Sequence, residues 1–216
     1  MSQPLLLLGN KRYSSWSLRG YLALTAAGLA FDEKVIPLFQ PDTHAQIAEI
    51  APNAPAKVPL LVIDGHVIWD TMAIMEFAAE NSRAGRLWPE DKFARAHARS
   101  VAAEMHAGFS ALRENVPMNL DRMDSYTPPA QDVQADIDRI FQIWRQCRTR
   151  YQDKGPYLFG TLSMADVAFA PVLVRLKSRS IPMDTTCKAY ADAAWNMPGF
   201  AKWREDAAQE IWIIGQ

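Results

Sequence analysis

The chain has 216 residues, of which 49% are hydrophobic and 22% are charged, and its formal net charge at pH 7 is −1. This composition is ordinary for a globular protein with one large domain or two small ones. Because 23 basic residues are balanced by 24 acidic ones, the chain lacks the charge excess that favours nucleic acid or an anionic membrane as a partner.

The apolar run 5–8 is too short to cross a bilayer. It also lacks the basic flank and cleavage site of a signal peptide, so it predicts a buried strand over 4–9. The two cysteines, Cys147 and Cys187, lie far apart and form no C-x-x-C motif. This usage favours a reduced, cytoplasmic location.

The segments after the first strand alternate between helix and strand patterns. Apolar residues at helical spacing predict a helix over 17–27, and the pattern of 31–37 predicts a second strand. A short helix is expected over 43–49. A strand, a helix and a second strand in this order form a parallel, right-handed unit.

A hairpin and a capped helix are predicted between residues 55 and 80. Pro59 opens an apolar strand, Asp64-Gly65 is a two-residue hairpin turn, and the return strand ends near residue 69. Asp70 then occupies the N-cap position of a helix. If the bond before Pro59 is cis, the N–H and carbonyl of Val58 are free for a ligand. The alternative is a plain hairpin that leads into a capped helix.

From about residue 81 the sequence changes character. Residues 81–92 have linker and helix-cap composition, and strand patterns nearly vanish after them. Helices are predicted over the segments 93–115, 131–153, 163–176 and 198–208. The predicted fold class is therefore an α/β N-terminal domain with a mixed four-stranded sheet, followed by an all-α C-terminal helical bundle.

Motifs for metal, nucleotide and hydrolase chemistry are missing from the sequence. The four histidines form no H-x-x-x-H pair, and neither a G-x-x-x-x-G-K nor a G-x-S-x-G motif is present. Three serines, Ser14, Ser15 and Ser17, crowd a helix start after the first strand, where open α/β sheets bind ligands. A serine there either donates to a bound anion or simply caps the helix, and the residues alone leave both readings open.

Taken together, these motifs resemble the cytosolic glutathione S-transferases. The Ser14-Ser15 loop, Val58-Pro59, Asp70-Thr71 and the Ser163-x-x-Asp166 box occur in family-like order over essentially the whole chain. The resemblance is to a bacterial, serine-type member of the family. Its loop is nearest to the zeta-like Ser-Ser-Cys loop, but Trp16 stands in the cysteine position. The resemblance implies a thioredoxin-like glutathione-binding domain at 1–80, a linker at 81–92 and a helical substrate-binding domain at 93–216.

The resemblance also implies a role for each matching residue. Ser14, with Ser15 as the alternative, matches the serine whose hydroxyl donates to the glutathione sulfur. Val58, before a cis Pro59, matches the residue that binds the cysteinyl backbone of glutathione.

Other residues match the family positions that contact the two ends of glutathione. Asp70 and Thr71 match the pair that contacts the γ-glutamyl group, and Lys57 and His44 are candidates for the glycyl end. The box at Ser163 matches a folding motif without a catalytic role.

The substrate pocket is expected to draw on Trp16 and on Met105, His106 and Phe109 in the helical half. Apolar residues at helical spacing also fit an ordinary core. The resemblance further implies a homodimer, a detoxification role and glutathione as co-substrate. The motifs and the net charge, taken by themselves, predict no metal and neither nucleic acid nor membrane as partner.

Three functions remain in view. The first is conjugation of the glutathione thiolate to a small hydrophobic electrophile. The second is a glutathione-dependent isomerase of the maleylacetoacetate type, and the third is a non-catalytic protein-interaction module. The intact set of Ser14, Val58-Pro59 and Asp70-Thr71 favours the first two, because a scaffold has no need of a complete glutathione site.

Overall fold

The computed structural model describes residues 3–214. Its strands are β1 Leu5–Leu8, β2 Asp32–Val35, β3 Leu60–Ile63 and β4 His66–Ile68. The α-helices of the first part are α1 Ser15–Ala26, α2 Thr43–Ile50 and α3 Thr71–Glu80. Those of the later part are α4 Lys92–Ala107, α5 Ser110–Asn115, α6 Gln131–Tyr151, α7 Met164–Ser178, α8 Thr185–Trp195 and α9 Phe200–Ala208. A short 3-10 helix, Gln152–Lys154, extends α6.

The four strands form one mixed sheet in the order β2-β1-β3-β4. β1 pairs parallel with β2 and antiparallel with β3, and β3 pairs antiparallel with β4. The predicted mixed four-stranded sheet is thus confirmed. β1 reads as an unbroken leucine run because it is an inner strand, and Leu6, Leu7 and Leu8 are fully buried.

The hairpin between β3 and β4 turns where the sequence predicts it. Asp64 and Gly65 both have positive φ, 47° and 79°. A two-residue turn with this pair of left-handed conformations matches the twist of the strands that it joins, and glycine adopts it without steric cost.

The strand register brings three chain segments to one end of the sheet. Leu7, near the end of β1, pairs with Leu60, the first residue of β3. Leu61 pairs in turn with Ile68, the last residue of β4. The loop after β1, the residues before β3 and the residues after β4 therefore all leave the sheet at the same end.

Contacts divide the chain into two compact units, one formed by residues 1–85 with 198–216 and the other by 86–197. The boundary after Gly85 lies inside the predicted linker. Helix α9, which the sequence assigns to the helical domain, packs on the first unit instead. There the Trp203 Nε1–H donates to the Lys11 carbonyl at 2.9 Å, and the Trp203 ring contacts the Tyr21 ring. The amphipathic pattern of α9 indicates that one face is buried, but it does not indicate against what.

The second unit is built from α4 to α8, with α4 packed on α7 and α6 packed on α8. Every residue of α7 except Lys177 is buried, as its nearly continuous apolar sequence predicts. The predicted helix over 93–115 is wrong in one respect, because it breaks at Gly108 and Phe109, where Phe109 has a φ of 62°. Helix α8 was not predicted, although Asp184 caps it and its buried residues follow helical spacing.

The capping box that opens α7 is present. The Asp166 carboxylate accepts from the Ser163 N–H and hydroxyl, both at 2.8 Å, and from the Leu158 N–H at 2.9 Å. Complete burial raises the pKa of Asp166 to about 6, and the hydrogen bonds oppose that rise. The box ties the start of α7 to the preceding loop.

Within residues 3–214, no helix has both the length and the apolar character needed to span a membrane.

Candidate functional site

Ser14 is the N-cap of α1. Its Oγ accepts from the Ser17 N–H at 3.2 Å, whereas Ser15 is the first residue of the helix itself. The Ser14 and Ser17 hydroxyl oxygens lie 2.8 Å apart, and the Ser17 Oγ also accepts from the Gly9 N–H at 2.8 Å. Ser17 has no exposed surface, while Ser14 is 8% exposed. The capping reading is therefore correct for Ser14, whose Oγ also forms a hydrogen bond with the Ser17 Oγ.

The loop between β1 and Ser14 is anchored on two sides. The Asn10 carbonyl accepts from the Ser14 N–H at 2.8 Å, and the Asn10 Oδ1 accepts from the Leu38 N–H at 2.9 Å. From the other side, the Glu210 carboxylate accepts from the N–H groups of Lys11 at 2.6 Å and Arg12 at 3.0 Å. Sequence reasoning missed Glu210, because no local pattern connects it to a loop at the other end of the chain.

Lys11 is a second anchor of this loop. Its ammonium lies 2.5 Å from the Glu33 carboxylate and 2.6 Å from that of Asp206, and it stands over the rings of Tyr21 and Trp203. Burial tends to raise the pKa of Asp206, but hydrogen bonds from lysines outweigh it and hold that pKa below its usual value. The positive charge of Lys11 is thus engaged in the structure of the first unit.

Val58 and Pro59 immediately precede β3, and the peptide bond between them is cis. Among the described residues, the N–H and carbonyl of half-buried Val58 form no hydrogen bond. Pro59 packs against α1 so closely that a Cβ built on Gly20 would lie 3.2 Å from the Pro59 Cβ and Cγ. The helix that carries Ser14 at its start therefore lies directly against Pro59.

Asp70 and Thr71 immediately follow the last strand. Asp70 is the N-cap of α3, and its Oδ1 accepts from the Met72 N–H at 2.9 Å. The Asp70 side chain is exposed, whereas Thr71 is buried. The bond between Trp69 and Asp70 is also cis. The start of a helix favours a bound carboxylate, through its N–H groups and its dipole.

These segments converge, since the loop before Ser14, the Val58-Pro59 pair and the Asp70-Thr71 pair all leave the sheet at the same end. Lys57 is exposed beside Val58, and its N–H donates to the Pro55 carbonyl at 2.7 Å. The arrangement offers a hydroxyl, an unpaired backbone N–H and carbonyl, and a carboxylate at a helix start. Such a set suits an extended, zwitterionic peptide.

The predicted pocket residues are divided between the two units. Trp16 is half-buried in the first unit, with the Arg19 guanidinium 4.7 Å from its ring centroid. In the second unit, Met105 and Phe109 are buried, at 1% and 7% exposure, and His106 is half-buried. Met105 and Phe109 thus have the burial of core residues.

Neither cysteine of the chain offers a reactive thiolate. Cys147 and Cys187 are both free and buried. Burial raises the pKa of the Cys147 thiol to about 12, and burial with the neighbouring Asp184 carboxylate raises that of Cys187 to about 12. Across residues 3–214, no group of three or more His, Cys, Asp or Glu side chains that could hold a metal ion is found.

Two family models match the chain. The model of the glutathione S-transferase N-terminal domain matches residues 13–81, and that of the C-terminal domain matches residues 130–206. The first match includes Ser14, Val58, Pro59, Asp70 and Thr71.

Curated relatives match parts of the chain. A probable maleylacetoacetate isomerase of Caenorhabditis elegans is 34% identical over 99 residues, which are 46% of this chain and 45% of that protein. The probable maleylacetoacetate isomerase 1 of Drosophila melanogaster is 32% identical over 161 residues, 73% of this chain and 63% of that protein. The matched regions span less than two thirds of either relative.

Solved structures share the fold over nearly the whole chain. A Burkholderia glutathione transferase homologue with bound glutathione has a TM-score of 0.70 at 20% identity, with coverage of 96% of this chain and 98% of that one. A maleylacetoacetate isomerase from Anaeromyxobacter dehalogenans has a TM-score of 0.66 at 21% identity, with coverage of 99% of this chain and 96% of that one. At these identities the likeness concerns the fold.

Proposed function

Because the chain belongs to the glutathione S-transferase family, we propose that it binds reduced glutathione and transfers the glutathione thiolate to an electrophilic carbon of a small apolar substrate. The observation that carries the proposal is the convergence of Ser14, Val58-Pro59 and Asp70-Thr71 at one end of the sheet. Each supplies a group that one part of glutathione requires, and the register of three strands brings them together.

Ser14 is the proposed activator of the thiol. A hydroxyl that donates to sulfur stabilises the thiolate over the thiol and so lowers the thiol pKa. The thiolate is the nucleophile. The chain's own thiols are buried with raised pKa values, so the nucleophile comes from the bound co-substrate. Ser15, the first residue of α1, is the alternative donor.

The peptide part of glutathione has matching partners. The N–H and carbonyl of Val58 pair with the cysteinyl backbone. Asp70 pairs with the γ-glutamyl ammonium, and Thr71 at the start of α3 pairs with its carboxylate. Lys57, exposed beside Val58, pairs with the glycyl carboxylate.

For the electrophile, Trp16, Met105, His106 and Phe109 remain the candidate contacts. Substitution of Trp16 by Ala is expected to raise the KM for the electrophile. The same substitution is expected to leave the Kd for glutathione within about twofold, a difference below half a kcal/mol.

We also propose that the protein is a cytoplasmic homodimer. Size-exclusion chromatography at dilute protein concentration tests the oligomeric state.

A second candidate is glutathione-dependent isomerisation of an unsaturated dicarboxylic acid. It is favoured by the relatives named as maleylacetoacetate isomerases and by the Ser14-Ser15 loop. Against it, Trp16 stands where the similar loop has cysteine. Turnover of aryl halides, epoxides and hydroperoxides, compared with maleylacetoacetate-like acids, separates transfer from isomerisation.

The test of the glutathione site is binding to immobilised glutathione by wild type and by Asp70→Asn. Asparagine caps helices about as well as aspartate, so this variant removes the charge and keeps the cap. Loss of a charge-assisted hydrogen bond of about 1.5–3 kcal/mol predicts binding weaker by roughly tenfold to a hundredfold. Glu80→Gln, an exposed carboxylate at the other end of α3, is the matched control.

If the wild-type protein does not bind glutathione at all, both enzymatic proposals fail. The protein-interaction module is then the remaining reading. If Asp70→Asn binds as well as wild type, the glutathione site is elsewhere than proposed.

A further inference from the structure

The Ser14 hydroxyl carries one proton, and two acceptors compete for it. One is the sulfur of bound glutathione, under the proposed function, and the other is the Ser17 Oγ, 2.8 Å from the Ser14 Oγ. A proton donated to Ser17 is not available to the sulfur. We propose that Ser17 is a positioning residue, which donates its own proton to the Ser14 Oγ and so leaves the Ser14 proton for the thiolate.

The contacts of Ser17 support this direction. The Ser17 Oγ accepts from the Gly9 N–H at 2.8 Å, and its only other hydrogen-bond partner within the described part of the chain is the Ser14 Oγ. Ser17 has no exposed surface, so water cannot take its proton. If Ser14 donates to Ser17, the Ser17 proton has no acceptor and is buried, which costs about 1–3 kcal/mol.

The reverse direction satisfies every group. Ser17 accepts from Gly9 and donates to Ser14, whose Oγ then accepts both the Ser17 N–H at 3.2 Å and the Ser17 O–H. Both lone pairs of the Ser14 Oγ are occupied, and its proton is directed away from the protein contacts. Ser14 is the more exposed of the two serines, so the outward proton lies on the residue that a ligand can reach.

A bound thiolate reinforces that direction. A hydroxyl that accepts hydrogen bonds becomes a stronger donor, and a chain of such bonds strengthens each member. The order is Gly9 N–H to Ser17, Ser17 O–H to Ser14, and Ser14 O–H to sulfur. No net proton moves through this chain, because the thiol proton of glutathione leaves to water on binding. Ser17 acts on the sulfur only through Ser14.

The inference rests on the proposed role of Ser14, so its test compares Ser14→Ala with Ser17→Ala and Ser17→Thr. The readout is the pKa of enzyme-bound glutathione, measured from the ultraviolet absorbance of the thiolate against pH. Ser17→Ala is expected to raise this pKa by about 0.5 to 1 unit, the equivalent of one hydrogen bond. Ser17→Thr keeps the hydroxyl and is expected to keep the wild-type pKa.

A purely structural role is separated by a ligand that has no ionisable thiol. S-methylglutathione occupies the site without a thiolate, so its Kd reports the shape of the site alone. Ser17→Ala is expected to leave this Kd within about twofold while the pKa of bound glutathione rises. If Ser17→Ala weakens the binding of glutathione and S-methylglutathione equally and leaves the pKa of bound glutathione unchanged, Ser17 only holds the loop. That result would overturn the inference.

The remaining outcomes separate the inference from the function on which it rests. If Ser14→Ala raises the bound-thiol pKa and Ser17→Ala does not, the chain through Ser17 is refuted while Ser14 remains the activator. If neither variant changes the pKa, the role of Ser14 fails and the inference fails with it. If Ser17→Ala does not fold, Ser17→Cys serves in its place, because a thiol is a weaker donor of similar size and is expected to raise the pKa by a smaller amount.

Discussion

The segment after α9 holds the loop that carries Ser14, and removal of one carboxylate tests that contact. Glu210 accepts from the backbone N–H groups of Lys11 at 2.6 Å and Arg12 at 3.0 Å. Two adjacent N–H groups on one carboxylate fix the path of the loop just before Ser14. We expect Glu210→Ala to weaken both the fold of the first unit and the activation of the thiol.

The expected loss of stability is about 1–2 kcal/mol. Hydrogen bonds to a charged group contribute roughly 1.5–3 kcal/mol each when buried, but these contacts are only partly buried, so water replaces part of the loss. The Arg12 guanidinium keeps its bonds to the carbonyls of Ala207 at 3.2 Å and Glu210 at 2.9 Å, which do not depend on the removed carboxylate. For a chain of this length the loss corresponds to a Tm lower by roughly 3–6 °C.

The effect on activity has an upper bound. If all of the lost free energy goes into misplacing Ser14, kcat/KM falls by about fivefold to thirtyfold, since 1.4 kcal/mol corresponds to a factor of ten. The measurements are thermal unfolding and kcat/KM with a saturating electrophile. Glu205→Ala on α9 is the matched control, because Glu205 is exposed and is expected to leave both quantities unchanged.

Two results would refute the reasoning for Glu210. A Tm equal to that of wild type would show that the carboxylate does not hold the loop. A lower Tm with unchanged kcat/KM and unchanged pKa of bound glutathione would show that the loop keeps Ser14 in place without it.

Further predictions concern both units. Asp166→Ala leaves three buried donors unpaired. We expect it to lower the free energy of unfolding, measured by urea denaturation, by about 3–5 kcal/mol. A loss below about 1 kcal/mol would contradict the capping box as a stabilising element. Gly199→Ala is expected to cost about 2 kcal/mol or more by the same assay, because Gly199 has a φ of 83° and a Cβ would lie 2.6 Å from the Thr25 Cγ2. Cys147 and Cys187 are expected to resist a thiol reagent at neutral pH until the protein unfolds, because burial raises both pKa values to about 12; rapid labelling of the native protein would contradict this.

Local patterns were sufficient for much of the fold. The turn at Asp64-Gly65, the cap at Asp70 and the box at Ser163 all join groups that are close along the chain. Hydrogen bonds over such short separations require no knowledge of the rest of the molecule, so composition and spacing predict them. The same holds for β1, whose apolar run predicts an inner strand.

Some errors came from tertiary constraints. Helical spacing runs through Phe109, but the structure places that residue in the left-handed region and divides the predicted helix there. Helix α8 is a different case, because its cap at Asp184 and the helical spacing of its buried residues are local signals. Helix α9 was predicted correctly as a helix, yet amphipathicity does not name the surface on which a helix packs.

The sequence by itself determined the candidate glutathione-binding residues, namely Ser14, the Val58-Pro59 pair and the Asp70-Thr71 pair, because each belongs to a local motif. Only the tertiary structure decided how they are held. The strand register aligns the three segments, and Glu210 reaches Lys11 across a separation of 199 residues. No local pattern encodes contacts over such a distance, since they form only when the whole first unit has folded.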